Sequence, residues 1–353
     1  MTNQVSGERL DDYDFDLPAD RIAQHPPPTR DAARLLILNR VPGHITLAGI
    51  PGLLEVLRRG DLIVRNTTRV FPARLLGERS DTGGRVEALL VSPLTEDRWI
   101  ALLKPARRLR AGVPLEFGGS LRAAVEEVRS NGRRVLRFDL AGEALDEAVD
   151  ACGRIPLPPY IRRQPQEEDR ERYQTVYANV RGSVAAPTAG LHLTGSLIEG
   201  LLERGVEVAD LVLHVGPGTF RPVGEGGIAQ HKMHAEAFDL PQDTARAIRN
   251  ARARGGRVVA IGTTVARVLE ARAAPGRLVS PGRGTTDIFI HPPMQLRIVD
   301  ALLTNFHLPR STLLMLVSAM AGREAVLAAY EKAISAGFRF YSYGDAMFIC
   351  SDS

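Results

Sequence analysis

The order of hydrophobic and polar positions divides the chain into two kinds of segment. Between residues 70 and about 155, short runs alternate apolar and polar side chains, as strands with one buried face do. Gly-Gly and Asn-Gly pairs separate the runs, and Asn131-Gly132 is the strongest of these hairpin signals. The pattern predicts a small antiparallel sheet or barrel. The alternating runs cover residues 86–91, 99–103, 121–128 and 134–140.

From residue 156 onward, amphipathic helical patterns alternate with short, wholly apolar runs. Thr194 suits an N-cap, and Gly205 and Gly255-Gly256 suit helix ends. Alternation of strands and helices predicts a largely parallel sheet covered by helices. The predicted helices cover residues 194–204, 241–254, 312–321 and 324–336, and the predicted strands cover 206–215, 257–261 and 301–305.

The first 69 residues contain only a predicted helix over 53–59 and a strand over 61–65, too little for a domain. We therefore predict an α/β fold in which residues 1–69 and 156–353 form one larger α/β domain with a mostly parallel sheet. The β-rich residues 70–155 form a smaller, antiparallel, barrel-like domain inserted into it. A length of 353 residues agrees with two domains.

Composition adds little to this picture. The net charge of +4 and pI near 9.3 suit either a polyanionic partner or an arginine-rich proteome. Basic clusters at 104–110, 129–134 and 246–257 are either solvated faces or nucleic-acid contacts. Two cysteines are too few for a disulfide framework, and no apolar segment resembles a signal or a membrane span. We expect a cytoplasmic protein without a membrane partner.

Four of the eight histidines lie in three neighbouring segments that mix glycine or proline with hydroxyl and titratable side chains. Glycine lets the backbone approach a ligand closely, and histidine titrates near neutral pH. This combination indicates an enzyme whose site is built from loops in the second half of the chain. The polar and glycine positions concerned are Thr188, His192, His214, Gly216, Gly218, Thr219, His231, His234 and Glu236.

Each motif also has a simpler interpretation. Gly216-Pro-Gly218 follows a predicted strand, so it is either a ligand-binding loop or a tight turn. The hydroxyls of Gly262-Thr-Thr264 either cap the next helix or contact a ligand there. The spacing of His231, His234 and Glu236 suits acid–base or positioning duty, surface exposure or zinc. No cysteine lies nearby and the spacing is not His-Glu-x-x-His, so we predict no metal.

Distinctive sequence motifs occur along nearly the whole chain, at residues 13–18, 66–74, 83–87, 155–161, 173–177, 184–192, 213–220, 231–236, 262–264, 303–309 and 343–349. In their residues and in their order, these motifs resemble the S-adenosylmethionine:tRNA ribosyltransferase-isomerase family of queuosine biosynthesis.

The resemblance implies a transferase that moves and isomerises the ribosyl part of S-adenosylmethionine. The acceptor is 7-aminomethyl-7-deazaguanine at the wobble position of tRNA, and the product is epoxyqueuosine-tRNA, with adenine and methionine released. S-adenosylmethionine is then a substrate, and the tRNA anticodon stem-loop is the partner. We expect a monomer that needs no metal.

The resemblance also implies roles for residues. We assign proton transfer to His234 and Glu236. The remaining catalytic candidates are His214, His192 and Glu87, the last on the family match alone. The donor-binding candidates are Gly216, Gly218, Thr219, Gly262, Thr263, Thr264 and Thr188.

Two hypotheses from other classes remain. A tRNA-binding protein without chemistry would need the basic clusters but not the histidine segments. A hydrolase using His231, His234 and Glu236 would need a metal, which metal analysis of the purified protein detects.

Overall fold

A mixed nine-stranded sheet and a closed six-stranded barrel make up the described part of the protein. The computed structural model describes residues 9–40, 44–130, 132–220 and 227–351. Asn131, half of the predicted Asn-Gly turn, lies outside them.

In chain order the strands are β1 (Arg34–Asn39), β2 (Ile45–Gly49), β3 (Leu62–Asn66), β4 (Thr68–Val70), β5 (Arg74–Arg79), β6 (Arg85–Pro93), β7 (Arg98–Lys104), β8 (Pro114–Phe117), β9 (Leu121–Val128), β10 (Arg134–Phe138), β11 (Val180–Ser183), β12 (Glu207–Leu213), β13 (Glu236–Leu240), β14 (Val258–Ile261), β15 (Ala273–Ala274), β16 (Leu278–Val279), β17 (Gly282–Thr286), β18 (Ala301–Asn305) and β19 (Ala346–Cys350). The α-helices are α1 (Leu53–Val56), α2 (Gly142–Cys152), α3 (Asp169–Arg172), α4 (Gly195–Glu203), α5 (Gly227–Gln230), α6 (Gln242–Ala253), α7 (Thr263–Ala271), α8 (Thr312–Ala321) and α9 (Arg323–Ser335).

The large sheet has the strand order β17-β13-β12-β3-β14-β18-β19-β1-β2. Its centre, β12-β3-β14-β18, is parallel, whereas both edges are antiparallel. Every residue of β14 and β18 is buried, as expected for strands covered on both faces. The predicted α/β class is confirmed, with the parallel pairing concentrated at the centre of a mixed sheet.

Alternate residues of each strand supply two hydrophobic layers. In β3, Leu62 and Val64 face the layer formed with α6, α7, α8 and α9. Ile63 faces the opposite layer, formed with α1 and α4. Thr194 caps α4 as predicted, because its hydroxyl accepts a hydrogen bond of 3.1 Å from the Leu197 N–H.

The six strands β5 to β10 close into an antiparallel barrel with the order β10-β7-β6-β5-β8-β9. Leu145 and Val149 of α2 complete its core. The predicted antiparallel, barrel-like part is therefore confirmed, and its strands lie within residues 70–155. The domain boundaries themselves stay a prediction.

The prediction missed several strands, some with partners distant in the chain and others, such as β2 and β8, in short hairpins. β5 and β8 close the barrel, and β1, β2, β13, β17 and β19 extend the sheet. Leu35 of β1, for example, is paired with Ala346 of β19. The predicted helix over 53–59 is shorter, because α1 ends at Val56.

Among the described residues no single helix is long and apolar enough to cross a membrane; α8 and α9, bent by 113° relative to each other, pass that test only as a pair.

Candidate functional site

The candidate site lies where the parallel strands of the sheet end. The strands β12, β3, β14 and β18 run in the same direction, so the segments after their carboxyl ends meet at one edge. Ligands of open α/β sheets bind at such an edge. The segments begin with His214, Thr67, Gly262 and Phe306.

The buried side chain of Asn66 holds this edge together. Its Oδ1 accepts the N–H of Leu213 at 3.0 Å and that of Thr68 at 3.1 Å. Its Nδ2 donates to the Leu213 carbonyl at 3.0 Å and to Thr264 Oγ1 at 3.3 Å. One amide therefore fixes β12, β3 and the start of α7 relative to one another.

A first cleft opens beside α7. It contains about 680 Å³ of space between atoms, including the part open to solvent. Tyr160 and Tyr341 contact each other there, with ring centroids 4.6 Å apart. The Tyr160 hydroxyl is hydrogen-bonded to Ser342 Oγ at 2.6 Å. The polar lining comprises Thr188, Thr263, Thr264, Thr304, Asn305, His307, Ser311 and Ser342.

Asn305, which lines the first cleft, has an unpartnered acceptor among the described residues. Its Nδ2 donates to the Tyr341 carbonyl and to His192 Nε2, both at 3.0 Å. Its buried Oδ1 has no hydrogen-bond partner among the described residues. Burial lowers the pKa of His192 to about 4, so this ring is neutral near pH 7 and accepts the amide proton. His192 therefore orients Asn305 from behind the cleft.

The start of α7 forms one wall of the first cleft. Gly262 has a φ of +93°, a conformation that favours glycine. Thr263 and Thr264 follow, and neither hydroxyl is needed as an N-cap acceptor, because Gly262 itself occupies that position. Both threonines are buried and line the first cleft, so capping by their hydroxyls is not what the structure shows, and ligand contact at this helix N-terminus stays a prediction.

A second, wider cleft lies between the sheet edge and the barrel, with about 1260 Å³ of space between atoms, including the part open to solvent. Among the described residues, Val215 is the one that borders both clefts. Barrel and α2 residues form one side and the histidine segments form the other. The lining comprises Phe71, Val91, Ser92, Pro93, Trp99, Arg133, Asp146, Arg181, Gly182, His214, Val215, Gly216, Pro217, Gly218, His234, Ala235, Glu236 and Ala237.

A hydroxyl pair orients His214 in the second cleft. Thr68 Oγ1 donates to Ser183 Oγ at 2.9 Å and lies 2.8 Å from His214 Nδ1. Because the single proton of Thr68 goes to Ser183, Nδ1 is the donor to Thr68. The Nε2 atom then carries the lone pair that a base needs. Burial lowers the pKa of His214 below the usual histidine value and favours this neutral form.

Glu236 anchors the glycine loop. Its Oε1 accepts the Gly216 N–H at 2.9 Å, and its Oε2 accepts from Arg267 Nη1. Both side chains of the ion pair are buried. The ring of His234 lies against Gly218, since a Cβ atom added there would be 2.2 Å from His234 Cδ2. Glu236 therefore connects α7 to the loop that contacts His234.

The structure brings the predicted residues together in two groups. Thr188 and Gly262–Thr264 line the first cleft, whereas His214, Gly216, Gly218, His234 and Glu236 line the second. Glu87 lies instead on barrel strand β6, where it pairs with Arg74 at 2.9 Å. The side chain of Thr219 lies outside the described part of the structure.

Sequence reasoning assigned no role to several residues of the site. Asn66, Tyr160, Asn305, Ser342 and Trp99 all belong to it. Asn66, Tyr160, Asn305 and Ser342 lie in or next to motifs that carried the family resemblance, so their position in those motifs could have identified them. Trp99 stands in a strand pattern that carried no such signal.

His231 lies beside the site. Its ring contacts Phe289, with centroids 5.2 Å apart. Partial burial, and then the charge of His234, lower its pKa. In the described ranges no group of three His, Cys, Asp or Glu side chains converges as a metal site requires.

Comparison with known proteins gives one consistent result. The model of the family described as queuosine biosynthesis protein matches residues 10–349. An S-adenosylmethionine:tRNA ribosyltransferase-isomerase of Heliobacterium modesticaldum is 51% identical over 339 residues, 96% of this chain and 98% of that protein. Its counterpart from Desulfitobacterium hafniense is 48% identical over 342 residues, 97% of this chain and 99% of that protein.

A solved structure agrees with these relatives. The crystal structure of S-adenosylmethionine tRNA ribosyltransferase from Thermotoga maritima is 36% identical, with a TM-score of 0.55, and the match covers 96% of this chain and 99% of that one. Because the family model and the relatives both extend over almost the entire chain, this protein belongs to the queuosine biosynthesis protein family.

Proposed function

We propose that this protein is an S-adenosylmethionine:tRNA ribosyltransferase-isomerase. It transfers the ribosyl part of S-adenosylmethionine to 7-aminomethyl-7-deazaguanine at the tRNA wobble position and rearranges it to epoxyqueuosine. Adenine and methionine leave. Its relatives carry this enzyme name over their full length, and the reaction needs the two adjoining substrate sites that the sheet edge offers.

The adjoining clefts are the observation that carries the proposal. The transfer requires a donor and a nucleobase acceptor to meet with their reacting atoms in contact. The two clefts share Val215, and the glycine loop that follows it borders the second. A protein that only bound tRNA would not need the first cleft.

The first cleft suits the donor. Adenine can stack on the Tyr160–Tyr341 pair, and the methionine carboxylate suits the N-terminus of α7, which lines this cleft. The unpartnered Oδ1 of Asn305 can accept from the ammonium or a ribose hydroxyl. In this arrangement Thr188 and Gly262–Thr264 keep their predicted donor-binding role.

The second cleft suits proton transfer. The sulfonium charge acidifies the adjacent ribose carbon, so a base must remove a proton there, and an acid must assist the departure of adenine. His214, with Nε2 as acceptor, and the exposed His234 are the groups for these steps. Glu236, held by Arg267, positions the loop rather than reacting itself. The role of Glu87 stays a prediction from the family match.

The test of the proposed function is product analysis. Incubation with S-adenosylmethionine and tRNA bearing 7-aminomethyl-7-deazaguanine should release adenine and methionine in equal amounts, with a matching mass increase of the tRNA. Turnover should persist after dialysis against a strong chelator. Formation of S-adenosylhomocysteine would mean methyl transfer and would contradict the proposal, and loss of turnover restored only by zinc would revive the metal hypothesis.

A further inference from the structure

Two basic segments that are separate in sequence meet on one side of the barrel. Arg134, at the start of β10, donates from Nη2 to the Ala106 carbonyl at 2.7 Å and from Nε to the Leu109 carbonyl at 3.3 Å. These bonds hold the β9–β10 hairpin against the segment after β7. The resulting barrel arginine surface consists of Lys104, Arg107, Arg108, Arg110, Arg129 and Arg133.

The middle of this surface carries unneutralised charge. The side chains of Arg107, Arg108 and Arg110 are exposed, and no carboxylate of the described residues lies within ion-pair distance of them. Other barrel arginines differ, since Arg98 pairs with Glu126 at 2.9 Å. Unpaired arginines clustered on one surface attract a polyanion, and arginine suits phosphate geometry.

The surface continues into the second cleft through Arg133, which lines that cleft together with Trp99. The half-exposed Trp99 ring packs on the buried ring of Phe71, with centroids 5.4 Å apart. The guanidinium of Arg181 lies 4.9 Å from the Phe71 ring on this side of the barrel and pairs with Asp150 at 2.7 Å. An aromatic ring supported in this way is a stacking surface for an unpaired base.

We propose that the barrel binds the anticodon loop: its arginine surface holds the phosphates, and Trp99 stacks with the target base inside the second cleft. The base then lies beside His214 and His234, next to the donor in the first cleft. This inference rests on the proposed function for the identity of the RNA. Single-stranded loops with splayed bases are the usual targets of aromatic and arginine recognition.

Binding of a synthetic anticodon stem-loop carrying the aminomethyl base tests the arginine surface. The full-length Arg107→Ala/Arg110→Ala variant should bind more weakly, and the slope of log K against log salt should fall by about 1.4, or ~0.7 for each lost phosphate contact. The matched control, Arg246→Ala/Arg249→Ala, removes two exposed arginines of α6 and should keep the wild-type slope. Equal losses in both variants, or a loss in the control alone, would overturn the proposal.

Trp99 tests the base pocket directly, because it is the only tryptophan of the chain. The stem-loop should quench its fluorescence, whereas S-adenosylmethionine alone should not. Trp99→Leu should weaken stem-loop binding by roughly 10-fold, the range of one stacked base, and Trp99→Phe by less. The affinity for S-adenosylmethionine should stay within about twofold, which shows that the fold is intact. Quenching by the donor alone, or unchanged RNA affinity in Trp99→Leu, would overturn it.

These measurements separate this inference from the proposed function. Absence of adenine release by the wild-type protein contradicts the reaction, but a barrel-dependent, salt-sensitive binding of the stem-loop still supports the surface. If the wild-type protein forms the products normally but neither Arg107→Ala/Arg110→Ala nor Trp99→Leu weakens stem-loop binding, the barrel surface is contradicted and the proposed reaction is not.

Discussion

At the scale of single residues, burial gives the histidines of the site different chemistry. His192 is buried behind the first cleft and is neutral near pH 7, since burial lowers its pKa to about 4. His214 is oriented by Thr68, and His234 is exposed in the second cleft. Only the last two can exchange protons with a substrate in that cleft, so they are the residues to vary.

Replacing His234 with Ala should lower the turnover number by roughly 10²–10⁴-fold, the usual share of one general acid–base group. The affinity for S-adenosylmethionine should change much less, because the proposed donor-binding residues lie in the first cleft. His231→Ala is the matched control and should cost less, since that ring contacts Phe289 beside the site. Single-turnover kinetics measure the rate of the reaction and titration with S-adenosylmethionine measures the donor affinity, each for both variants. Turnover within about threefold of wild type would remove His234 from the mechanism.

At the scale of elements, the sequence predicted those whose signals are local. The helix capped by Thr194, the strand Ala301–Asn305 and the helix Thr312–Ala321 appear where the pattern placed them. The edge strand β17 and the inner strand β1 were missed, since their places in the sheet depend on partners distant in the chain, β13 for β17 and β19 for β1. The sequence pattern around His234 also did not decide whether the backbone there is an extended strand. The strand β13 begins only at Glu236, after the histidine.

The ion pair between α7 and β13 connects the two clefts. Glu236→Ala should lower the free energy of unfolding by about 3–5 kcal/mol, because Arg267 would remain buried without its partner. The double variant Glu236→Leu/Arg267→Met should recover much of that stability. It should not recover turnover, since the Gly216 N–H loses its acceptor. Urea unfolding and steady-state kinetics on the same samples measure both effects. Recovery of turnover in the double variant would count against a positioning role.

At the scale of the whole molecule, buried histidines make folding depend on pH. Burial lowers the pKa of His307 to about 3 and that of His192 to about 4. The unfolded chain binds these protons near pH 6.5. Between that pH and the folded pKa values, the unfolded state therefore takes up more protons, and stability decreases as the pH falls.

Between pH 7 and pH 5, each of these histidines should remove about 2 kcal/mol from the free energy of unfolding. Urea unfolding at the two pH values measures the summed contribution of the two histidines to the free energy of unfolding. His307→Gln should reduce the difference between the two pH values by about 2 kcal/mol, whatever it does to stability at pH 7. The control His25→Gln changes an exposed ring and should leave the difference unchanged. An undiminished difference in His307→Gln would show that this ring is not the source.

The sequence by itself determined the family and the α/β class with an inserted antiparallel barrel, and it predicted most of the segments that line the candidate site. Those features depend on local periodicity, on capping residues such as Thr194 and on sequence motifs, all of which are formed by residues close together in the sequence. Only the tertiary structure decided that Gly216–Gly218 and Gly262–Thr264 border different clefts, and that Glu236 pairs with Arg267. It also joined the two basic segments through Arg134. These relations depend on strand order and on contacts between residues far apart in the chain, which no local pattern records.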